Sequence, residues 1–257
     1  FFRLRPEEII RRRAQCPLVY IPLGTLEWHG LHNPLGADGL QAEELALRCA
    51  RLGGGVVFPT LWYGESRLGS LLETDPARGA GVAQRMGLDS AHFSESRQPY
   101  TAFQQIEHYV HHLVQILAEA ASYGYEMAVF VVGHYPLLDH ARSAVLQYNQ
   151  WVYDKPWKKM NAWAFADFIL LKDAYDHPGD HAGAWETSHL LACAPETVDM
   201  TKTRADLQYS ILTTRDPATA TAAFGNEVYD AAAREAVRQV KARMADPGRF
   251  SGHGMPL

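Results

Sequence analysis

The chain has 257 residues, 47 % of them hydrophobic, a formal net charge of −5 at pH 7 and three cysteines. That size and apolar content suit one large α/β domain with a full core, while the slight acidity gives no electrostatic case for nucleic acid or an anionic membrane. No apolar run reaches the length of a membrane span. Cys16, Cys49 and Cys193 are scattered, with neither a disulfide nor a metal spacing, so a reducing, cytoplasmic setting is expected.

Residues 6–15 open with Pro6, carry Glu7 and Glu8, and hold three arginines towards their end, the charge order a helix dipole favours. The run 17–23, PLVYIPL, is short, apolar and bounded by proline and glycine, and reads as a buried strand. Residues 40–52 predict a helix stopped by three glycines, and 56–58 a second buried strand running into a pocket-lining loop at 59–64. Residues 65–99 show no strong periodicity and predict a long excursion with one short helix near 81–86. The clearest helix is 101–123, where Phe103, Ile106, Val110, Leu113, Val114, Leu117 and Ala121 recur at three and four. His108, His111 and His112 flank that stripe with no carboxylate at a useful spacing, so they are not read as ligands.

A third strand is expected at 127–132, ending at Gly133 and His134, with a helix over 137–150. Trp151, Trp157 and Trp163 mark an aromatic segment suited to a pocket cover or a subunit contact. Beyond it come a fourth strand within 161–171, a short helix at 186–194, a strand-like link at 197–200, an irregular stretch at 204–218 and a surface helix at 225–245. No repeat or linker divides the chain, so a single domain over 1–257 is expected.

Four side chains that bind metals well, Glu27, His29, His32 and Asp38, fall within twelve residues just past the first strand. Glu27 and His29 are two apart, so on extended backbone they point to one side. Gly30, Pro34 and Gly36 bend the chain and can return Asp38 to the same place. Asp38 also precedes a helical pattern and suits an N-cap. Strand ends are where open α/β sheets bind ligands, and the grouping reads as a metal site.

The pattern Glu-x-His-Gly-x-His, five residues, then Asp, directly after a Pro-Leu-Gly strand end, resembles the creatininase (creatinine amidohydrolase) family. Val131-Val-Gly-His-Tyr135 and His181-Ala-Gly-Ala-Trp-Glu-Thr-Ser188 match two further segments of that family in the same order. The resemblance implies an α/β fold of three layers, α/β/α, around a mainly parallel sheet. It also implies a divalent metal centre, two ions of Zn, Mn or Fe. Asp38 would bridge them, Glu27 and His134 would complete one ion, and His29 would serve the other. His32 would support the shell, His181 would handle protons, and Tyr135 and Trp185 would meet substrate. Asp176 and Asp180 are near enough in sequence to orient His181, while His177 and His189 read as surface or packing residues. The resemblance also draws Glu186 into the site as a catalytic residue beside His181, although on sequence grounds a helix N-terminal charge explains it equally well.

The implied reaction is hydrolysis of a carbon–nitrogen bond in a small non-peptide amide, a cyclic amide or formamide, by water activated between two metals. Family members assemble as homo-oligomers, often hexamers, and the same is expected here. Two departures stand out. Creatinine-hydrolysing members carry a glutamate where this chain has Pro136, and other members carry glycine. The Pro therefore weakens the case for creatinine and leaves the second ion one ligand short. The excursion at 65–99 also lacks the Gly-Thr step common in the family. The alternatives are a metal-dependent lyase or isomerase on the same scaffold, and a non-catalytic binding protein with an incomplete metal site.

Overall fold

The computed structural model describes residues 1–64, 67–69, 71–157, 160–204 and 215–250. In chain order the elements are α1 (Pro6–Gln15), β1 (Leu18–Leu23), α2 (Ala37–Gly53), β2 (Val56–Val57), α3 (Gly79–Arg85), α4 (Ala102–Ser122), β3 (Met127–Val132), α5 (Leu137–Val152), β4 (Asn161–Ala166), α6 (Asp167–Leu170), α7 (Ala184–Cys193) and α8 (Ala222–Ala245). All six residues of β1 and all six of β3 are buried. Such continuous apolar runs belong in strands covered on both faces.

The strands form one sheet in the order β2-β1-β3-β4, and every pair is parallel. Alternate side chains divide the core in two. Val19, Ile21, Leu23, Phe130 and Val132 pack with α4 and α5, whereas Leu18, Tyr20, Val129, Val131 and Phe165 pack with α2, α7 and α8. The result is the α/β/α layering the resemblance implies. The chain leaves β1 into α2 on one face, and leaves the neighbouring β3 into α5 on the other. Leu23 pairs with Val132, so the two strands end level. Connections that part in this way open a crevice between the strand ends, the usual ligand position in such sheets.

Two glycines let α2 rest against that crevice. A Cβ on Gly24 would lie 2.4 Å from the Gly39 nitrogen, and one on Gly133 would lie 2.0 Å from the Asp38 carbonyl oxygen. No side chain fits at either place.

Several expectations need correction. α2 starts at Ala37 with Gly36 as its N-cap, and Asp38 makes no cap; its side chain turns into the crevice instead. The strand-like link at 197–200 is extended at Val198 and Asp199 but is no strand, because it runs between two 3₁₀ turns, Pro195–Thr197, started by Pro195, and Met200–Lys202, where the Asp199 side chain accepts from Thr201 N. The excursion holds α3 and three 3₁₀ turns, Leu72–Thr74, Ser90–Phe93 and Glu95–Arg97. Most of the irregular stretch expected at 204–218 lies outside the described residues.

Candidate metal centre

Glu27 and His29 lie on the segment that follows β1, and the bend through Gly30 (φ 79°) brings Asp38 back on the first turn of α2. The end of β3 delivers His134, the loop before α7 delivers His181, and the first turn of α7 delivers Glu186. These side chains converge from three segments. His29 is 0 % exposed, Asp38 1 %, Glu27 and Glu186 2 % each, and His134 5 %.

Asp38 stands at the centre. Its Oδ1 lies 3.0 Å from His29 Nε2, and its Oδ2 lies 3.3 Å from His134 Nδ1. Glu27 Oε1 is 2.7 Å from His134 Nδ1, and Glu186 Oε2 is 3.5 Å from His29 Nε2. Two triads result, Glu27–Asp38–His134 and His29–Asp38–Glu186, with Asp38 common to both. A further grouping joins Glu27 and His29 to His181. Among the described residues, both Asp38 oxygens, Glu27 Oε1 and His29 Nε2 lack hydrogen bonds of proper alignment. Buried polar atoms are rarely left that way. Oxygen and imidazole nitrogen lone pairs converging on common points suit a first-row divalent ion, so the donor set fits the metal.

The electrostatics point the same way. Burial alone would lower the His29 imidazole, but the Asp38, Glu186 and Glu27 carboxylates outweigh it and raise it to about 10. Burial raises Glu27, aided by Asp38 and opposed by His134. Burial also raises Glu186 well above the usual carboxylate range. Asp38 goes the other way, because His29 and His134 outweigh its burial. Three carboxylates are thus packed where water cannot reach, with only imidazolium to balance them. A bound cation relieves that imbalance.

His181 is held differently. Its Nε2 donates to the Trp28 carbonyl at 2.9 Å, and its Nδ1 lies 3.7 Å from Glu27 Oε1. The ring packs 4.4 Å from the His29 ring. Burial, with His29 beside it, pushes the imidazole down to about 3, so it is neutral at physiological pH. Asp180 does not orient it. That carboxylate accepts from the backbone nitrogens of Gly183, Trp185 and Glu186, holding the start of α7. Asp176 is exposed beside His177. His32 Nε2 meets the Ala182 carbonyl at 3.0 Å and fastens the turn after β1 to the His181 loop. Ala182 itself adopts φ 55°, with its N–H on Glu186 Oε2 at 2.7 Å.

Of the two residues expected at substrate, Tyr135 is half-buried beside Phe168, and its hydroxyl faces the Asp180 backbone N–H but makes no hydrogen bond of proper alignment among the described residues. Trp185 is 0 % exposed and donates from Nε1 to Asp167 Oδ2 at 2.7 Å. In this structure its ring offers no face to a substrate, because Tyr175, His189 and Phe224 surround it. His189 stacks on Tyr229, as a packing residue would. Among the described residues, none of His108, His111 and His112 joins a group able to hold an ion. Glu186 in the second triad, and Glu73 behind Trp28, were not legible in those roles. Both depend on loops closing over the strand ends.

A family model described as creatinine amidohydrolase matches residues 3–72 and 82–240. The chain belongs to the creatininase family. A 3-dehydro-scyllo-inosose hydrolase of Thermotoga maritima is 25 % identical over 204 residues, covering 76 % of this chain and 56 % of its own length. The chain thus spans a little over half of that relative. A creatininase described as the Mn form superposes with a TM-score of 0.70 at 19 % identity, over 94 % of this chain and 97 % of its own. A mutant creatininase of Zn–Zn type does so with the same TM-score and identity, over 94 % and 96 %. A putative creatinine amidohydrolase from Bacteroides fragilis gives 0.58 at 18 %, over 90 % of each chain. These structural matches establish the creatininase fold.

Proposed function

We propose that this creatininase-family chain is a metal-dependent hydrolase of a carbon–nitrogen bond in a small non-peptide amide, a cyclic amide or formamide. The observation that carries the reading is the pair of buried triads sharing Asp38 at the crevice between β1 and β3. It is best suited to two ions, one held by Glu27, Asp38 and His134, the other by His29, Asp38 and Glu186. Zn, Mn or Fe all suit such donors. Glu186 then supplies the carboxylate that Pro136, exposed at the start of α5, cannot. That weighs against an incomplete, non-catalytic site.

When bound, divalent ions supply Lewis acidity to a carbonyl and acidify water. The protein does the rest. With Nε2 on the Trp28 carbonyl, neutral His181 presents its bare Nδ1 to the cluster, and can take a proton as the carbonyl is attacked and return it to the departing amine. Tyr135 brings its hydroxyl, which faces the Asp180 backbone N–H, close to Asp167, Asp180 and Glu186, on the side of the site where a polar group of the substrate would meet it. Burial of every donor keeps bulk water out of the centre.

The family description names creatinine, while the Thermotoga maritima relative is named for another substrate. With Pro136 in place of the glutamate, creatinine is the less suited candidate. The exposed Trp151, Tyr153 and Trp157, at 52 %, 71 % and 45 %, support a homo-oligomer. No helix among the described residues is long and apolar enough to cross a membrane.

The test is metal analysis of the purified protein, followed by a panel of cyclic amides and formamides that includes creatinine. Metal-dependent release of amine and carboxylate from a member other than creatinine is expected. Metal-loaded protein that cleaves no amide but isomerises or eliminates on a carbonyl substrate would replace hydrolysis with the lyase or isomerase reading.

A further inference from the structure

Trp28 sits between two donors of the centre, and both of its peptide groups are clamped. Its N–H donates to Glu73 Oε1 at 3.0 Å, and its carbonyl accepts from His181 Nε2 at 2.9 Å. Its side chain turns away from Glu27 and His29 into a small apolar cluster with Leu72 and Val82. The peptide on its N-terminal side sets the aim of Glu27, and the one on its C-terminal side sets the aim of His29. Rotation of either peptide plane would swing a donor away, since the side-chain direction follows the backbone.

Glu73 comes from the excursion, on the 3₁₀ turn Leu72–Thr74, more than forty residues beyond Trp28. A carboxylate only 3 % exposed needs a reason to be there. The guanidinium of Arg67, 3.3 Å from the same Oε1, balances its charge. Gly79 packs on the Glu73 backbone so closely that a Cβ would lie 2.6 Å from the Glu73 carbonyl oxygen, and its N–H donates to the Asp75 carbonyl at 2.8 Å. The turn that presents Glu73 is therefore built rather than incidental.

We infer that Glu73 is a positioning residue for the metal centre: by holding the Trp28 amide it fixes the backbone between Glu27 and His29 and keeps the Trp28 carbonyl facing His181 Nε2. The inference rests on the reading of His181 and the triads given above. It places part of the active-site support in the excursion, where the chain departs from its family.

The test compares Glu73→Gln with Glu73→Met, reading zinc affinity by competition with a chelator and the His181 tautomer by imidazole ¹⁵N resonances of the metal-free protein. Groups that orient metal ligands typically contribute about 10–100-fold in affinity. Glu73→Met is expected to weaken zinc binding by about that factor and to convert His181 from the Nε2–H form to a mixture of tautomers. Glu73→Gln keeps an oxygen acceptor for Trp28 and is expected to retain the wild-type tautomer and affinity. A folded Met variant with unchanged tautomer and affinity would overturn the inference. So would a Gln variant as impaired as the Met variant, because charge and not the Trp28 bond would then be at work. Should the Met variant not fold, Glu73→Asp, one methylene short of the amide, is expected to show the tautomer mixture, and a wild-type spectrum there overturns the inference. No arm uses turnover, and the tautomer reading survives even if the protein proves to bind no zinc, so failure of the proposed reaction is separately visible.

Discussion

The turn after β1 and the loop before α7 bury acidic side chains side by side at one edge of the sheet, yet they use them in opposite ways. In the turn, Glu27 Oε1 and both Asp38 oxygens make no aligned hydrogen bond among the described residues. In the loop, Asp180 gives its oxygens to three backbone N–H groups at the start of α7. Burial is nearly equal, with Asp38 at 1 % and Asp180 at 6 %. The difference lies in what faces each carboxylate. Lone pairs aimed at imidazoles from several segments can hold a cation. Lone pairs satisfied by the helix terminus hold the backbone. Burial and charge alone therefore do not mark a catalytic carboxylate; unsatisfied lone pairs sharing a focus do.

The largest expected effect comes from the shared donor. Asp38→Ala should remove more metal than any other single change, and activity with it, as read by elemental analysis of the dialysed protein. Retention of both ions would dissolve the distinction between the two regions. His181→Ala comes next. It should lower turnover by about 10²–10⁴-fold while metal content stays near wild type; metal loss would make His181 a ligand.

Asp180→Ala probes the other side of the comparison. Three buried N–H groups would lose their acceptor, at about 3–5 kcal/mol in total. Denaturant melts should show that loss, with zinc affinity per folded molecule much less affected than in Asp38→Ala. A variant that stays stable but loses zinc would put Asp180 in the centre.

The smallest effect concerns Asp167, buried behind the loop. Burial raises its carboxyl from 3.8 to about 6, against the opposing hydrogen bond from Trp185. Between those values the folded chain holds a proton that the unfolded chain has released. Stability from this group is therefore present at the acid end and falls as pH rises through the window, by about 3 kcal/mol. Asp167→Asn lacks that fall, so its stability relative to wild type should rise from pH 4 to pH 7 in parallel urea melts. A constant difference would show that folding does not raise the Asp167 carboxyl at all.

Much of this was legible in the sequence where the signal was local. The runs at 18–23 and 127–132 are apolar throughout because both faces of their strands are covered, and composition records that directly. The convergence of Glu27, His29 and Asp38 was legible because one short segment carries all three. The link at 197–200 is extended where Val198 suggests it, at Val198 and Asp199, while the turn chemistry of Pro195 and Asp199 winds the chain on either side into 3₁₀ turns. The role of Trp185 was hidden by its neighbours: sitting within a site-like motif does not say which way an indole points, and Asp167, eighteen residues earlier, fixes it inward. Glu73 gave no signal at all, since its partner is a backbone N–H, which every residue but proline carries.

The two glycines at the ends of β1 and β3 have a consequence for how such a protein can change. A Cβ at 133 would meet the Asp38 carbonyl at 2.0 Å, and one at 24 would meet Gly39 N at 2.4 Å. The seat of Asp38 is thus gauged by main-chain contact between helix and sheet, with the Trp62 ring packed against Gly36 and Gly39 beside it. Substrate-facing loops can be lengthened, shortened or exchanged over evolutionary time while that gauge keeps its setting. Redesign of this scaffold for new amides can accordingly vary the rim of the crevice, provided positions 24 and 133 remain without side chains and the loop at 59–64, which exchanges backbone hydrogen bonds with Gly24 and packs Trp62 on Gly39, is kept.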